Sequence, residues 1–412
     1  MIWAIAAVAT AGVIIRPFRS PEAIWAVAGA AFLVILRLIS PGDALAGVSK
    51  GTDVYLFLTG MMLLSETART EGLFDWLAAH ATRRAKGSAA RLFLLIYGVG
   101  AVVTILLSND ATAVVLTPAV AAAVKAAKTE KPLPYLLICA FIANAASFVL
   151  PISNPANLVI YGSHTPPLLQ WLPRYLLPSL LSIAVTYIVL RWTQRDALSQ
   201  KIAADGAVPA LSRAGRTAAA GIAATAIVLL VSSALDTQLG LPTAIAGGIT
   251  MGVVLVTERK RPWPMLKGIT WSVLPLVAGL FVLVEALDKS GLIRSIADLL
   301  KHQAEQSAAT AGWGAGIVVA VAANLMNNLP AGLIAGNALQ AANAPDQVTR
   351  AVLIGVDLGP NLSITGSLAT ILWLSALRRE GQSVSAIDFL KLGFLVMPPA
   401  LILAIAASSL FG

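Results

Sequence analysis

The sequence predicts an all-α polytopic membrane protein: two inverted repeats with ten transmembrane helices, two re-entrant helical hairpins and two broken helices. Three observations carry that prediction. Of 412 residues, 58% are hydrophobic and 12% charged, with a mean hydropathy of +0.81, against roughly 45–50% apolar and 25% charged in soluble domains. Polar clusters interrupt apolar stretches at matching places in the two halves of the chain. Lysine and arginine divide unequally between alternate loops, 22 of the 29 on one face and 7 on the other, as the positive-inside rule demands of a polytopic protein.

Composition also narrows the function classes. A net charge of +9 in so apolar a chain reads as basic cytoplasmic loops rather than a nucleic-acid surface. The single cysteine, Cys139, excludes an intramolecular disulfide and a multi-cysteine metal or thiol trap. His80, His164 and His302 fall near expected membrane borders without ligand spacing, so neither a metal site nor a cofactor is expected.

Residues 2–15 are apolar, and Arg16 and Arg19 follow rather than precede them, which predicts a retained first helix instead of a secretory signal. Residues 22–39 and 53–69 are full spans by length. Over 72–86, Leu73, Phe74, Leu77 and Ala81 share one face while Asp75, Arg83, Arg84 and Lys86 lie elsewhere, predicting an interfacial amphipathic helix. Residues 90–127 are basic at both ends and broken at Ser108-Asn109-Asp110, so they read as a re-entrant hairpin with both ends on the cytoplasmic side. A helix over 133–150 breaks at 151–157, where two prolines remove backbone donors, and residues 158–161 continue it. Residues 173–192 complete the first repeat, 1–192.

A polar stretch over 193–216 reads as a cytoplasmic linker, and 217–412 repeats the plan. Gly60, Glu66, Gly72 and Asn109 recur 219 residues later as Gly279, Glu285, Gly291 and Asn328. Residues 221–234 and 241–257 stand where 2–15 and 22–38 project. The second hairpin is expected over about 312–343, with its tip at Asn327-Asn328, and the second broken helix over about 347–378. After a shortening of seven residues, Ser153-Asn154-Pro155 pairs with Thr365-Gly366-Ser367. Five crossings per half is odd, so the repeats must be inverted, the plan of secondary transporters. The charge split places both termini outside the cytoplasm.

Hydrocarbon cannot solvate loose backbone or a carboxylate, so the four breaks are candidate sites. They offer Ser108, Asn109, Thr112, Ser153, Asn154, Asn157, Asn327, Asn328, Asn361, Ser363, Thr365 and Ser367 as hydrogen-bonding groups. Asp110 and Asp357 lie within or beside the breaks, and the repeat alignment sets them against Leu329 and Ala145, so no shared structural need explains them. A carboxylate there, with no basic residue near it in sequence, is expected to exchange protons. Glu66 and Glu285, near span ends, read as salt-bridge or helix-end residues before proton carriers.

The segment 355–374, GVDLGPNLSITGSLATILWL, resembles the DLGPxxxxxGSLATLLWL stretch of the ArsB arsenite efflux permeases of the ion transporter superfamily. Asn324-Leu325-Met326-Asn327-Asn328-Leu329-Pro330 is similar to that family's NxMNNLP hairpin, and Ser108-Asn109-Asp110 with Leu116-Thr117-Pro118 to its NDxxxxxLTP hairpin. The resemblance implies a secondary transporter of the inner membrane, not an enzyme. It implies export of arsenite and antimonite in exchange for protons, or with a soluble arsenite-stimulated ATPase subunit, by an alternating-access, elevator-like movement. Arsenite near neutral pH is an uncharged trihydroxide, and breaks with hydroxyls and amides but no lysine or arginine suit it. A sodium/proton antiporter of the same superfamily is the main alternative, since the same oxygens form a cation cage. A dicarboxylate carrier would lack a basic partner for its substrate. An intramembrane aspartyl protease would need a Gly-x-Gly-Asp turn that Gly355-Val356-Asp357 does not provide.

Overall fold

The computed structural model describes residues 1–17, 20–162, 165–203, 208–235 and 237–411; Arg19, His164 and positions 204–207 of the expected linker lie outside them. Among the described residues twenty α-helices follow one another and no strand forms. The first ten are α1 (Ile2–Ile15), α2 (Glu22–Ile35), α3 (Pro41–Lys50), α4 (Thr52–Thr70), α5 (Leu73–Ala85), α6 (Ala89–Leu106), α7 (Thr117–Ala126), α8 (Leu133–Ala145), α9 (Pro155–Tyr161) and α10 (Leu168–Thr193). The second ten are α11 (Arg213–Ala234), α12 (Gly240–Thr257), α13 (Pro262–Gly268), α14 (Val273–Lys289), α15 (Leu292–Gln306), α16 (Ala308–Met326), α17 (Asn328–Ala342), α18 (Asp346–Leu358), α19 (Leu368–Arg379) and α20 (Ala386–Ser408).

Six of these, α6, α10, α11, α12, α16 and α20, are long and apolar enough to cross a membrane, and α13 with α14, bent by 42°, adds a seventh. The protein is therefore a multi-pass, all-helical membrane protein. α1, α2 and α8 are shorter apolar helices, and α4 carries too many polar residues to meet the same measure. The helix expected over 133–150 stops at Ala145. Ser147 donates its hydroxyl to the Asn144 carbonyl at 2.7 Å, and the Asn157 amide binds the carbonyls of Ser147, Leu150 and Pro151 at 2.9–3.4 Å. Those bonds satisfy a non-helical backbone away from water.

Packing separates two bundles. In one, α4 lies along α12 and α2 along α14, with α1, α3, α11 and α13 around them; in the other, α10 packs on α20, α6 on α8, α16 on α18 and α17 on α9. The recurring residues explain part of this arrangement. A Cβ on Gly60 would fall on the backbone of Thr243 in α12, and one on Gly279 would fall on the backbone of Ala26 in α2. Gly72 and Gly291 take φ of 74° and 85° at the starts of α5 and α15, a left-handed turn that glycine adopts without a Cβ clash. Glu66 binds Arg69 on its own helix in a fork, and Glu285 binds Lys50 of α3 at 2.6 Å.

Candidate functional site

All four polar breaks belong to the second bundle; both hairpin tips, the first broken helix and the start of α19 meet α4 and α14 of the first bundle at one cavity. The first tip forms where α6 ends and a π-helical stretch, Ala111–Leu116, leads into α7; such wide turns replace regular helix where side chains must be re-aimed. The Ser108 hydroxyl accepts from the Ala111 N–H at 3.2 Å, and the Asn109 side-chain oxygen from the Asp110 N–H at 2.9 Å. Asp110 is partly exposed, and among the described residues its carboxyl has no hydrogen-bond or ion-pair partner. At the second tip Asn327 holds φ 76°, ψ 150° and caps α17 by accepting from the Leu329 N–H at 3.3 Å. That conformation is rare outside glycine and costs of order 1–3 kcal/mol. The Asn328 N–H donates to the Gly366 carbonyl at 2.8 Å, tying this tip to the second broken helix.

The two broken helices are joined by a buried polar network. Asn154 caps α9 through its side-chain oxygen, 3.0 Å from the Ala156 N–H, while its amide donates to Asp357 at 2.7 Å. The Ser147 hydroxyl stands 2.7 Å from the other Asp357 oxygen and 2.7 Å from the Asn144 carbonyl. One hydroxyl proton therefore faces two acceptors. From the other side the Asn144 amide donates to Asn361 at 3.0 Å and Thr370 at 3.5 Å, and Ser367, the cap of α19, donates to the Asn144 side-chain oxygen at 3.4 Å. Asn144, Ser147, Asn154, Asp357, Asn361, Ser367 and Thr370 are all buried.

Asn109, Asp110, Asn154 and Asn328 meet at a small cavity of about 30 Å³, closed by Leu58, Val273 and Val277 of the first bundle and by Leu368 and Ala369 at the start of α19. That is room for about two waters. Among the described residues no lysine or arginine lines it. Asp110 and Ser108 also line a larger cavity of about 510 Å³ in the seam between the bundles, with Glu66, Arg69, Lys267 and Arg379 among its walls.

The remaining expected residues are occupied within the fold. The Thr112 hydroxyl pairs with Thr104 at 2.8 Å, Ser153 donates to the Ile105 carbonyl at 3.1 Å, Asn157 holds the break as described, and Asn361 donates to the Phe141 carbonyl at 3.1 Å. Ser363 and Thr365 turn to Asn324, at 2.6 and 3.1 Å, and that asparagine donates in turn to the Gly359 carbonyl at 2.9 Å. Asn144, Ser147, Asn324 and Thr370 enter the network without having been expected there. Asn324 stands in the NxMNNLP motif, but no local signal separates Asn144 or Ser147 from helix-packing residues. Cys139 is buried in α8, and His80 packs against Trp76 with ring centroids 4.1 Å apart and the rings tilted by 48°.

Comparison with known proteins places the chain among transporters. Residues 7–356 match the model of the citrate transporter family. The arsenical pump membrane protein of Yersinia enterocolitica is 27% identical over 368 residues, covering 85% of this chain and 84% of that one. The arsenical pump membrane protein of Escherichia coli K12 is 25% identical over 400 residues, covering 93% and 92%. The crystal structure of the Alcanivorax borkumensis YdaH transporter, described as having an unusual topology, aligns over 91% of this chain and 89% of its own with a TM-score of 0.58 at 15% identity, a likeness of fold. The resemblance to ArsB-type permeases drawn from the hairpin and broken-helix motifs is borne out by these relatives.

Proposed function

The chain belongs to the citrate transporter family of membrane transporters, and on that premise we propose that it exports trivalent metalloid hydroxides, arsenite and antimonite, from the cytoplasm in exchange for protons. The observation that carries this reading is the polar set that both hairpin tips and the first broken helix bring to one small, otherwise apolar cavity: Asn109, Asn154, Asn328 and the Asp110 carboxyl, with no basic side chain among the described residues. A neutral trihydroxide needs donors and acceptors but no counter-charge; an anion there would face Asp110 with nothing to balance it. The arsenical pump relatives favour the same substrate class.

In this reading, residues 1–192 and 217–412 are inverted repeats joined by a cytoplasmic linker, with ten crossings, two re-entrant hairpins and both termini outside, in the inner membrane. The bundle holding all four breaks slides against the bundle of α4 and α14, and the seam cavities are the path it opens. Asp110 and Asp357 couple the cycle. A bare carboxylate in transit costs roughly 2.5–3.5 kcal/mol on insertion scales, so either a proton or the substrate's hydroxyl donors must cover it, and the two loads compete. Asn109, Asn154 and Asn328 hold the substrate; Ser108 stands at the entry, and Ser153, Asn157, Asn361, Ser363, Thr365 and Ser367 keep the breaks in shape.

A citrate-like anion is the second reading, favoured by Arg69, Lys267 and Arg379 around the larger cavity and by the family's description. Everted membrane vesicles separate these readings and the sodium/proton alternative. Arsenite uptake driven by an acid interior, unaffected by citrate or sodium and present without any ATPase subunit, is expected. Citrate uptake or sodium-driven pH change with no arsenite uptake would overturn the proposal.

A further inference from the structure

Asn144 and Asp357 occupy the same place in the two halves of the chain. Each is the twelfth residue of a thirteen-residue helix, α8 and α18, and each stands ten residues before the cap of the following short helix, Asn154 for α9 and Ser367 for α19. The bonds are reciprocal. The cap of α9 donates to Asp357 at 2.7 Å, and the cap of α19 donates to the Asn144 side-chain oxygen at 3.4 Å, so each is held by the broken helix of the other half. Aligning the repeats by sequence sets Asp357 against Ala145; the helix ends and caps move the register by one residue and set it against Asn144.

We infer that this layer carries one coupling proton per cycle, always at the second-half position, and that Asn144 is its permanently neutral twin, a positioning residue that keeps the α19 cap in place. The inference rests on the reading of Asp357 as a proton carrier. When a proton binds Asp357, an O–H bond forms at the oxygen facing Ser147, and the Ser147 hydroxyl turns from that oxygen to the Asn144 carbonyl; release reverses both. Asn144 accepts a bond in every state and takes up no proton. Around position 144 the Ser367 and Thr370 hydroxyls, 2.8 Å apart, offer donors to a carboxylate as Ser147 and Asn154 do for Asp357. Both residues are bonded by neutral groups. α8, α9, α16 and α17 carry no charged side chain. Charges elsewhere stand toward helix ends: Asp110 heads the π-helical stretch that packs on α8 and α19, Arg91 begins α6, Lys125 closes α7, Arg174 and Arg191 lie in the second and last turns of α10, and Arg378 and Arg379 end α19. Asp346 and Arg350 lie two or more turns back along α18, and Asp388 and Lys391 lie at the exposed start of α20. Tyr135, Cys139 and Tyr161 are the titratable groups of α8 and α9, and Tyr97, Tyr175 and Tyr187 those of α6 and α10 besides their arginines.

The test uses the purified full chain in proteoliposomes, with the membrane potential clamped at zero and arsenite accumulation read against an imposed pH gradient. Each coupled proton adds about tenfold accumulation per pH unit. Asp357→Asn should lower the slope by one such factor. Asn144→Asp combined with Asp357→Asn should restore the wild-type slope, and Asn144→Asp alone should raise it by one factor, which decides the matter if the double variant fails to fold. A wild-type slope in Asp357→Asn overturns the coupling reading and the inference with it. A lowered slope that Asn144→Asp, in monodisperse protein, neither restores nor raises overturns the inference alone.

Discussion

Asp357→Asn separates the proton from the fold, because the surrounding bonds can be rearranged without leaving a group unpaired. The side-chain oxygen of the introduced asparagine would accept from the Asn154 amide, and its own amide would donate to the Ser147 hydroxyl oxygen, whose proton then rests on the Asn144 carbonyl. The wild-type distances of 2.7 Å at each of those contacts allow all three bonds. The substitution thus reproduces the protonated acid, at a stability cost of no more than about 1 kcal/mol, the spread of one neutral hydrogen bond. Asp357→Ala instead strands the Asn154 amide in a fully buried place, costing about 1–3 kcal/mol for the unpaired group, with a further loss for the cavity left behind. Thermal melts of the purified variants should therefore put Asn beside wild type and Ala well below both. In everted vesicles Asp357→Asn should retain arsenite exchange at equal pH and accumulate about tenfold less arsenite per pH unit of gradient than wild type. The reasoning fails if Asn destabilises the protein as much as Ala does, or if Asp357→Asn, alone and together with Asp110→Asn, still pumps uphill at the wild-type rate.

Other expectations follow from the same structure. Asn109→Ala and Asn328→Ala each remove an amide from the small cavity and should abolish arsenite resistance in cells while leaving monodisperse protein; wild-type resistance in both would reduce these residues to helix packing. Gly60→Val and Gly279→Val drive a side chain onto the backbone of α12 and α2 respectively, and each should cost at least about 1–3 kcal/mol by overpacking, read as a lowered melting temperature; unchanged melting would show that the crossings can widen freely. Single cysteines at Arg84 and Lys128, at the two ends of the first hairpin, should react with an impermeant maleimide from the same, cytoplasmic side. Labelling from opposite faces would replace the hairpin by two spans.

Much of this molecule is legible in its sequence. The class follows from hydropathy, and most of the apolar helices and the places where polar residues interrupt them follow from local pattern, although α3 and α13 stand between expected spans and α8 stops short of residue 150. Gly72 and Gly291 are readable because a left-handed turn is a one-residue requirement, and Glu66 and Glu285 because a helix-end acid invites a nearby base. The site was legible only as a set of candidates. Sequence names every polar residue in a break alike, yet only Asn109, Asp110, Asn154 and Asn328 reach the small cavity, whereas Thr112, Asn157 and Asn361 are engaged in bonds within the fold. That sorting depends on which carbonyls are left unpaired once the helices have packed, and no local pattern records it. The same holds for Asp357: its partners Ser147 and Asn154 lie more than 200 residues away in sequence. Its equivalence to Asn144 hinges on a one-residue register set by where α8 and α18 stop. Sequence alone determined most of the apolar elements and the chemistry available to them, because periodicity and solvation act locally; tertiary structure decided where α8 stops and which side chains face one another, because a buried polar group takes whatever partner the packing brings within reach.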